Sequence, residues 1–127
     1  MSIRQEIFVA APPARVFEVL TRAEAFSSLT GGAPAEIDAS DGGAFSIFGG
    51  MIQGRNVESV PGARLVQAWR PKTWAPGLYS LVRFDLRAES DGTRVSLEHV
   101  GYPEEQREHL ASGWQANYLE PLRKLFA

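Results

Sequence analysis

Toward the end of the chain the apolar residues keep two different periods in succession. Leu78, Ser80, Val82, Phe84 and Leu86 alternate with Tyr79, Leu81, Arg83, Asp85 and Arg87. After Asp91-Gly92 the alternation returns, with Val95, Leu97 and His99 on one face and Arg94, Ser96 and Glu98 on the other. A period of two with one polar side predicts antiparallel strands that bury one face, and Asp-Gly is a favoured hairpin turn. The period then lengthens. Leu110, Trp114, Tyr118, Leu122 and Leu125 recur at spacings of four, four, four and three. At about 100° per residue they make a stripe roughly 120° wide, which predicts an amphipathic helix from about Pro103 to Phe126. Pro103 suits the first helical position, and Glu104 and Glu105 suit the positive end of its dipole.

The earlier elements read less sharply. Ile3 to Ala10 is rich in β-branched and aromatic residues and predicts a strand. Val16, Phe17, Val19 and Leu20 fall at helical spacing, which predicts a short helix from about Pro13 to Thr21. A second helical turn near Glu24 to Leu29 is weaker. Asp41-Gly42-Gly43 separates strands near Ala35 to Ala39 and Ala44 to Phe48. Val60-Pro61-Gly62 separates strands at Ile52 to Val60 and Arg64 to Arg70. Pro121 stands inside the last helix, removes one backbone hydrogen bond and predicts a kink. With 127 residues and no linker or repeat, the chain reads as one α+β domain, residues 1–127.

Several short motifs carry a family likeness in register along nearly the whole chain. They are Thr30-Gly31-Gly32-Ala33-Pro34-Ala35, Gly42-Gly43-Ala44-Phe45, Gly54, and Trp69-Arg70-Pro71-Lys72-Thr73-Trp74. Pro103-Glu104-Glu105 and Gly113-Trp114-Gln115-Ala116-Asn117-Tyr118 complete the series. In this order they resemble the carboxy-terminal domain of the activators of the ninety-kilodalton heat-shock chaperone's ATPase. That family lies in the START-like (SRPBCC, birch-pollen-allergen-like) superfamily. The resemblance implies a helix-grip fold, in which a curved antiparallel sheet of about six to seven strands wraps a long terminal helix, with one or two short helices after the first strand. It also implies a ligand cavity between helix and sheet, and a heat-shock-protein-90-class chaperone as a possible partner. Eukaryotic activators carry an additional amino-terminal domain that supplies much of the chaperone contact. Here only Met1 and Ser2 precede Ile3, so the cavity is the favoured expectation and the chaperone the alternative.

Composition narrows the chemistry further. There is no cysteine, which excludes disulfides, thiolate metal sites and cysteine nucleophiles. A formal net charge of −2 with scattered basic residues argues against a nucleic-acid partner. Arg4 and Glu6 interrupt the only candidate apolar run at the amino terminus, so neither a signal peptide nor a membrane span is expected, and a cytoplasmic location is the default. No serine sits in a Gly-x-Ser-x-Gly elbow, and the glycine pairs open no helix as a phosphate loop must. His99 and His109 have no metal-ligand spacing, so neither metal nor cofactor is expected.

What remains is a binding site. Phe45, Val57, Trp69, Phe84, Leu97, Trp114 and Tyr118 are expected to wall the cavity, and Trp114 and Tyr118 read as core filling as well, since a curved sheet and a straight helix leave room for both roles. His99, the histidine that the alternation turns inward, is either a hydrogen-bonded core residue or an acid, base or ligand anchor. Arg55 shares strand parity with Gln53 and Val57; it either fixes a ligand's polar end or faces solvent, pairing with Glu58 or a neighbouring strand. His109 falls off the apolar stripe and reads as surface. Gly113 is costly in a helix, and a close helix–strand approach would explain it. For a protein partner, Arg70, Lys72 and an exposed Trp74 form the candidate patch. Non-enzymatic ligand binding is the leading expectation, a chaperone cofactor the second, and an enzyme working in the cavity, such as a cyclase or hydrolase, the third.

Overall fold

The computed structural model describes residues 2–127. Strand β1 (Ser2–Val9) is followed by helices α1 (Pro13–Thr21) and α2 (Ala23–Leu29), then strands β2 (Glu36–Ile37) and β3 (Ala44–Ile47). Strands β4 (Ile52–Val60), β5 (Arg64–Pro71), β6 (Ser80–Glu89) and β7 (Gly92–Val100) follow. The sheet has seven antiparallel strands in the order β1-β7-β6-β5-β4-β3-β2, so the first strand closes against the last. Helices α1 and α2 form the early helical pair, and α1 packs against β6 and β7. No helix among the described residues is long and apolar enough to cross a membrane.

The hairpin alternation is realised from Ser80 onward, whereas Leu78, expected on the inner face, precedes β6 and is exposed. Val82, Phe84 and Leu86 on β6 and Val95, Leu97 and His99 on β7 are buried on the inner face. The outer face carries charge instead, in a chain of ion pairs from Arg4 through Glu98, Arg83, Asp85 and Arg64 to Glu58, crossing β1, β7, β6, β5 and β4. These pairs are solvated and individually weak, but they keep one side of the sheet wet and the other dry.

The terminal helix is composite. A 3₁₀ turn (Glu104–Gln106) leads into α3 (Arg107–Trp114), a π-helical turn (Gln115–Leu119) and α4 (Glu120–Leu125). The kink expected at Pro121 is thus met by a wider turn placed just ahead of it, where the Glu120 amide bonds the Gln115 carbonyl. A wider turn advances fewer degrees per residue than an α-turn. It therefore corrects the drift that repeated spacings of four would build up, and Leu110, Trp114, Tyr118 and Leu122 all stay buried. The inserted residue brings Leu119 into the core as well, while Leu125, expected on the stripe, is 45% exposed.

Strand β4 departs from the expected facing. Gly54 pairs with Trp69, and directly paired residues share a face, so an inward Trp69 puts Gly54 inward and Arg55 outward. A bulge between Asn56 and Glu58 then leaves Val57 unpaired and exposed. Asn56 takes the inner position, bonded to the Asp38 carbonyl at 2.8 Å and to Gln67 at 3.1 Å. Gly54 is required at its position: a Cβ there would stand 1.8 Å from the Ala68 carbonyl oxygen and 2.8 Å from the Phe45 ring.

Candidate functional site

An open cleft of about 680 Å³ lies between the β4–β5 end of the sheet and the terminal helix. Trp69, Trp114, Tyr118 and Phe48 supply its aromatic wall, with Ile52, Met51, Pro71 and Thr73 along the sheet side. The helix contributes two neighbouring rows at spacings of four. Gln106, Leu110, Trp114 and Tyr118 make one, and Glu105, His109, Gly113 and Asn117 make the other.

The aromatic wall is a connected stack. Trp69 and Trp114 have ring centroids 5.2 Å apart, Trp114 and Tyr118 4.4 Å, and Tyr118 and Phe48 5.5 Å. Phe48 holds φ 54°, a left-handed conformation that costs a bulky residue of order 1–3 kcal/mol. Its ring packs edge-on against Phe26 and Tyr118, which holds it at the cleft despite that cost.

Behind the wall runs a buried polar relay. The Trp114 indole N–H donates to His99 Nδ1 at 3.0 Å, so the ring's proton sits on Nε2. That nitrogen donates to Ser80 Oγ at 2.7 Å, and the hydroxyl donates to the Trp69 carbonyl at 2.9 Å. His99 is fully buried, and burial lowers its pKa to about 4, so the imidazole is neutral near pH 7. Its role is to lock the two indoles that face the cleft. The Trp69 indole N–H reaches the Tyr118 hydroxyl at 3.4 Å, and burial pushes that phenol well above its ordinary pKa.

Of the residues expected to wall a cavity, Trp69, Trp114 and Tyr118 line the cleft. Phe45 and Phe84 lie deeper, around a gap of about 10 Å³ that hardly admits one water. Leu97 is 2% exposed within packed core. The space between helix and inner sheet is therefore filled, and the opening lies at one end of the helix-grip rather than along it. Val57 and Arg55 are on the outside; Arg55 donates from Nη1 to the Gly42 carbonyl at 2.9 Å instead of pairing with Glu58.

The expected protein-binding patch is also rearranged. Trp74 is only 6% exposed, stacks edge-on to Trp69 and donates to Gln106 Oε1 at 3.1 Å. It closes the loop over the core rather than projecting from it. Arg70 is occupied in holding that same loop, bonding the carbonyls of Trp74, Ala75 and Leu78. Lys72 remains exposed.

Three cleft residues were read differently from sequence. Glu105 and His109 face the cleft mouth rather than only solvent. Gly113 makes no close strand approach: a Cβ there would meet nothing nearer than Asn117 Nδ2, at 3.6 Å. A mid-helix glycine costs about 1 kcal/mol relative to alanine. Here no protein contact requires it, and what it leaves open is the cleft. The signal available in the sequence was the ladder Glu105, His109, Gly113 and Asn117, one residue ahead of the apolar stripe.

A seven-stranded antiparallel sheet gripping a long terminal helix, with an end-opening cleft, defines a START-like helix-grip protein. The chain belongs to the family described as Activator of Hsp90 ATPase homolog 1-like protein, whose profile matches residues 10–127. It is 29% identical over 122 residues to the human activator of 90 kDa heat shock protein ATPase homolog 1, covering 96% of this chain and 36% of that protein. The homolog from Dictyostelium discoideum is 34% identical over 88 residues, covering 68% of this chain and 23% of that protein. The chain thus spans about a third or less of these curated relatives. Among solved structures, an HSP90 activator from Plasmodium falciparum superposes with a TM-score of 0.92 at 27% identity, covering 98% of this chain and 95% of that one.

Proposed function

We propose that this domain is a non-enzymatic, cytoplasmic binding protein that holds a small, largely apolar ligand in the cleft at the end of the helix-grip. The observation that carries the reading is the cleft itself. Its volume of about 680 Å³ falls inside the range of roughly 300–1,000 Å³ typical of small-molecule sites. Its lining is mostly apolar, with Phe48, Met51 and Pro71 over a floor of nearly buried aromatic rings and a polar row on the helix, and apolar walls with a few polar groups are the usual composition of such sites. Two costs to stability, strained Phe48 and helix-breaking Gly113, coincide on its lining. Neutral His99 is committed to the indole relay, which leaves it no part in acid–base chemistry. The test is a panel of apolar and aromatic compounds followed by tryptophan fluorescence and thermal shift. Binding should quench emission and raise the melting temperature by linkage. A panel with no quenching and no shift at millimolar concentration overturns the reading.

Family membership favours a second reading, a cofactor of a heat-shock-protein-90-class chaperone. Under it the contact surface would include exposed Lys72 and the exposed apolar residues Leu78 and Tyr79 on the same loop, because Trp74 is buried. Stimulation of chaperone ATPase turnover by the purified domain, lost in Lys72→Glu with Tyr79→Ala, would support it. No stimulation at micromolar protein would exclude it.

A further inference from the structure

We propose that the outer face of the sheet, at the end near the β5–β6 loop, docks an acidic protein segment that carries apolar side chains. The proposal rests on neither reading above: the patch lies on the face opposite the cleft, and its partner need not be the chaperone.

The patch is set by strand register. Trp69, Ser80 and His99 are buried on the inner face, so the residues that flank them, among them Arg70, Tyr79, Leu81 and Val100, face outward. Arg55, Ala68, Leu81 and Val100 are paired in one row across β4, β5, β6 and β7. Directly paired residues share a face, so this row is outer throughout. Leu81 and Tyr79 keep 44% and 49% of their surface in solvent. The next row along the strands, through Arg83 and Glu98, belongs to the chain of ion pairs. The outer face thus has two halves, one of neutralised charge and one with exposed apolar side chains. An exposed apolar patch rimmed by polar groups is the usual mark of an interaction site.

Charge decides the partner. In the neutralised half Arg4, Arg64 and Arg83 are each ion-paired. In the apolar half Arg55, Arg70 and Lys72 have no carboxylate partner among the described residues. The row through Arg55 holds no acid, and the row through Arg70 holds one only at the sheet edge, Glu36, with Ser46 and Gln53 between. In a chain of formal charge −2 this excess of cations is local. Arg70 is ordered in advance. Its Nε and Nη2 bond the loop carbonyls, Nη1 makes no bond among the described residues, and the guanidinium lies 5.8 Å from the Tyr79 ring centroid. Arg and Tyr are favoured at interface hot spots, and side chains already held lose less entropy on docking. An apolar partner would leave these cations buried without counter-charges, whereas an acidic segment pairs them while its apolar side chains cover Tyr79 and Leu81. A membrane surface fits less well, because it would also press on Glu58, Asp85 and Glu98 in the other half of the face.

A blocked peptide Glu-Glu-Phe-Leu-Glu-Glu tests this by amide NMR and calorimetry at low salt, beside Lys-Lys-Phe-Leu-Lys-Lys and Glu-Glu-Ser-Ser-Glu-Glu. The acidic apolar peptide should bind at least about tenfold more tightly than either control, shift the amides of Ala68, Tyr79, Leu81 and Val100, and weaken as salt is added. Lys72→Glu and Leu81→Ser, both at exposed positions, should each weaken it at least about threefold without lowering the melting temperature by more than a few degrees. Lys124→Glu makes the same change of net charge on the terminal helix and should leave the affinity unchanged. The proposal fails if the acidic apolar peptide binds no more tightly than the controls, if Lys124→Glu weakens it as much as Lys72→Glu, or if the shifts fall on Gly113 and Asn117 in the cleft. Without peptide binding, co-sedimentation with phosphatidylserine vesicles, or a dimer in ultracentrifugation that Leu81→Ser dissolves, would assign the face to a membrane or a second copy and overturn it equally. Ligand binding in the cleft and chaperone stimulation are read by other assays, so either can stand when this fails.

Discussion

Replacing His99 with glutamine tests the buried relay, because the relay makes stability depend on pH in a defined direction. In the folded protein the His99 pKa is lowered to about 4 by burial, against 6.5 in the unfolded chain. As pH falls below about 6.5 the unfolded chain takes up a proton that the folded protein refuses, so stability declines, and the decline levels off below about pH 4. Each tenfold difference in proton affinity is worth about 1.4 kcal/mol, so the full effect is about 3 kcal/mol. Of this, about 2 kcal/mol develops between about pH 7 and pH 5. The perturbed carboxylates Asp38, Glu89 and Glu120 contribute in a lower window. Their folded pKa values are depressed, so their stabilisation is present above the unfolded values of 3.8 and 4.5 and is lost as pH falls below them. His99→Gln keeps an acceptor for the Trp114 indole and a donor for Ser80 but cannot titrate. It loses the ring contacts to Trp69 and Trp114, centroids 5.0 Å and 5.4 Å away, so it should be less stable at every pH. The diagnostic quantity is the slope. Urea unfolding at several pH values should give the wild type a fall of about 2 kcal/mol from about pH 7 to pH 5 beyond that of the variant. Parallel pH profiles for the two proteins, or an NMR titration of His99 near 6.5, would refute the reasoning.

Other substitutions follow from the same geometry. Trp114→Ala removes an indole that is 2% exposed and should cost roughly 3–5 kcal/mol in urea unfolding. Gly54→Ala forces a methyl group to within 1.8 Å of the Ala68 carbonyl oxygen, and should leave little folded protein by circular dichroism. Arg70→Ala strips the bonds to the carbonyls of Trp74, Ala75 and Leu78; it should speed proteolysis of the loop between β5 and β6 and red-shift tryptophan emission, and Arg70→Lys should restore neither.

The helix-grip architecture was legible wherever a pattern was local and one face was wet. The alternation from Ser80 to His99 and the stripe through Leu110, Trp114, Tyr118 and Leu122 each mark a boundary between solvent and core, which a single segment can carry. The spacing of four repeated three times even held a trace of the π-turn, since a regular α-helix would have spread those residues over about 120° of its circumference. The facing of Arg55 and Val57 was not legible. It depends on which residue of β5 lies opposite Gly54, and on a bulge that changes no residue type. Trp74 was misjudged for a similar reason: its loop folds back because Arg70 binds three of its carbonyls and Gln106 accepts its indole proton, and both contacts join distant segments. The cleft residues Glu105, His109 and Gly113 looked like surface and structure because the wall that makes them a site comes from far earlier in the chain, Trp69 from β5 and Phe48 from the turn after β3.

The central claim is that a ligand enters the cleft beside Gly113, and the backbone and indole resonances report on that directly. Titration of isotope-labelled protein with 2-naphthalenemethanol should shift the amides of Gly113 and Asn117 and the indole N–H signals of Trp69 and Trp114. The charged outer face, Arg83 and Glu98 among it, should stay still. Saturable shifts confined to that set are the predicted result. Unmoved cleft resonances at millimolar probe, or shifts spread over the outer face and the Leu78–Tyr79 loop instead, would contradict it.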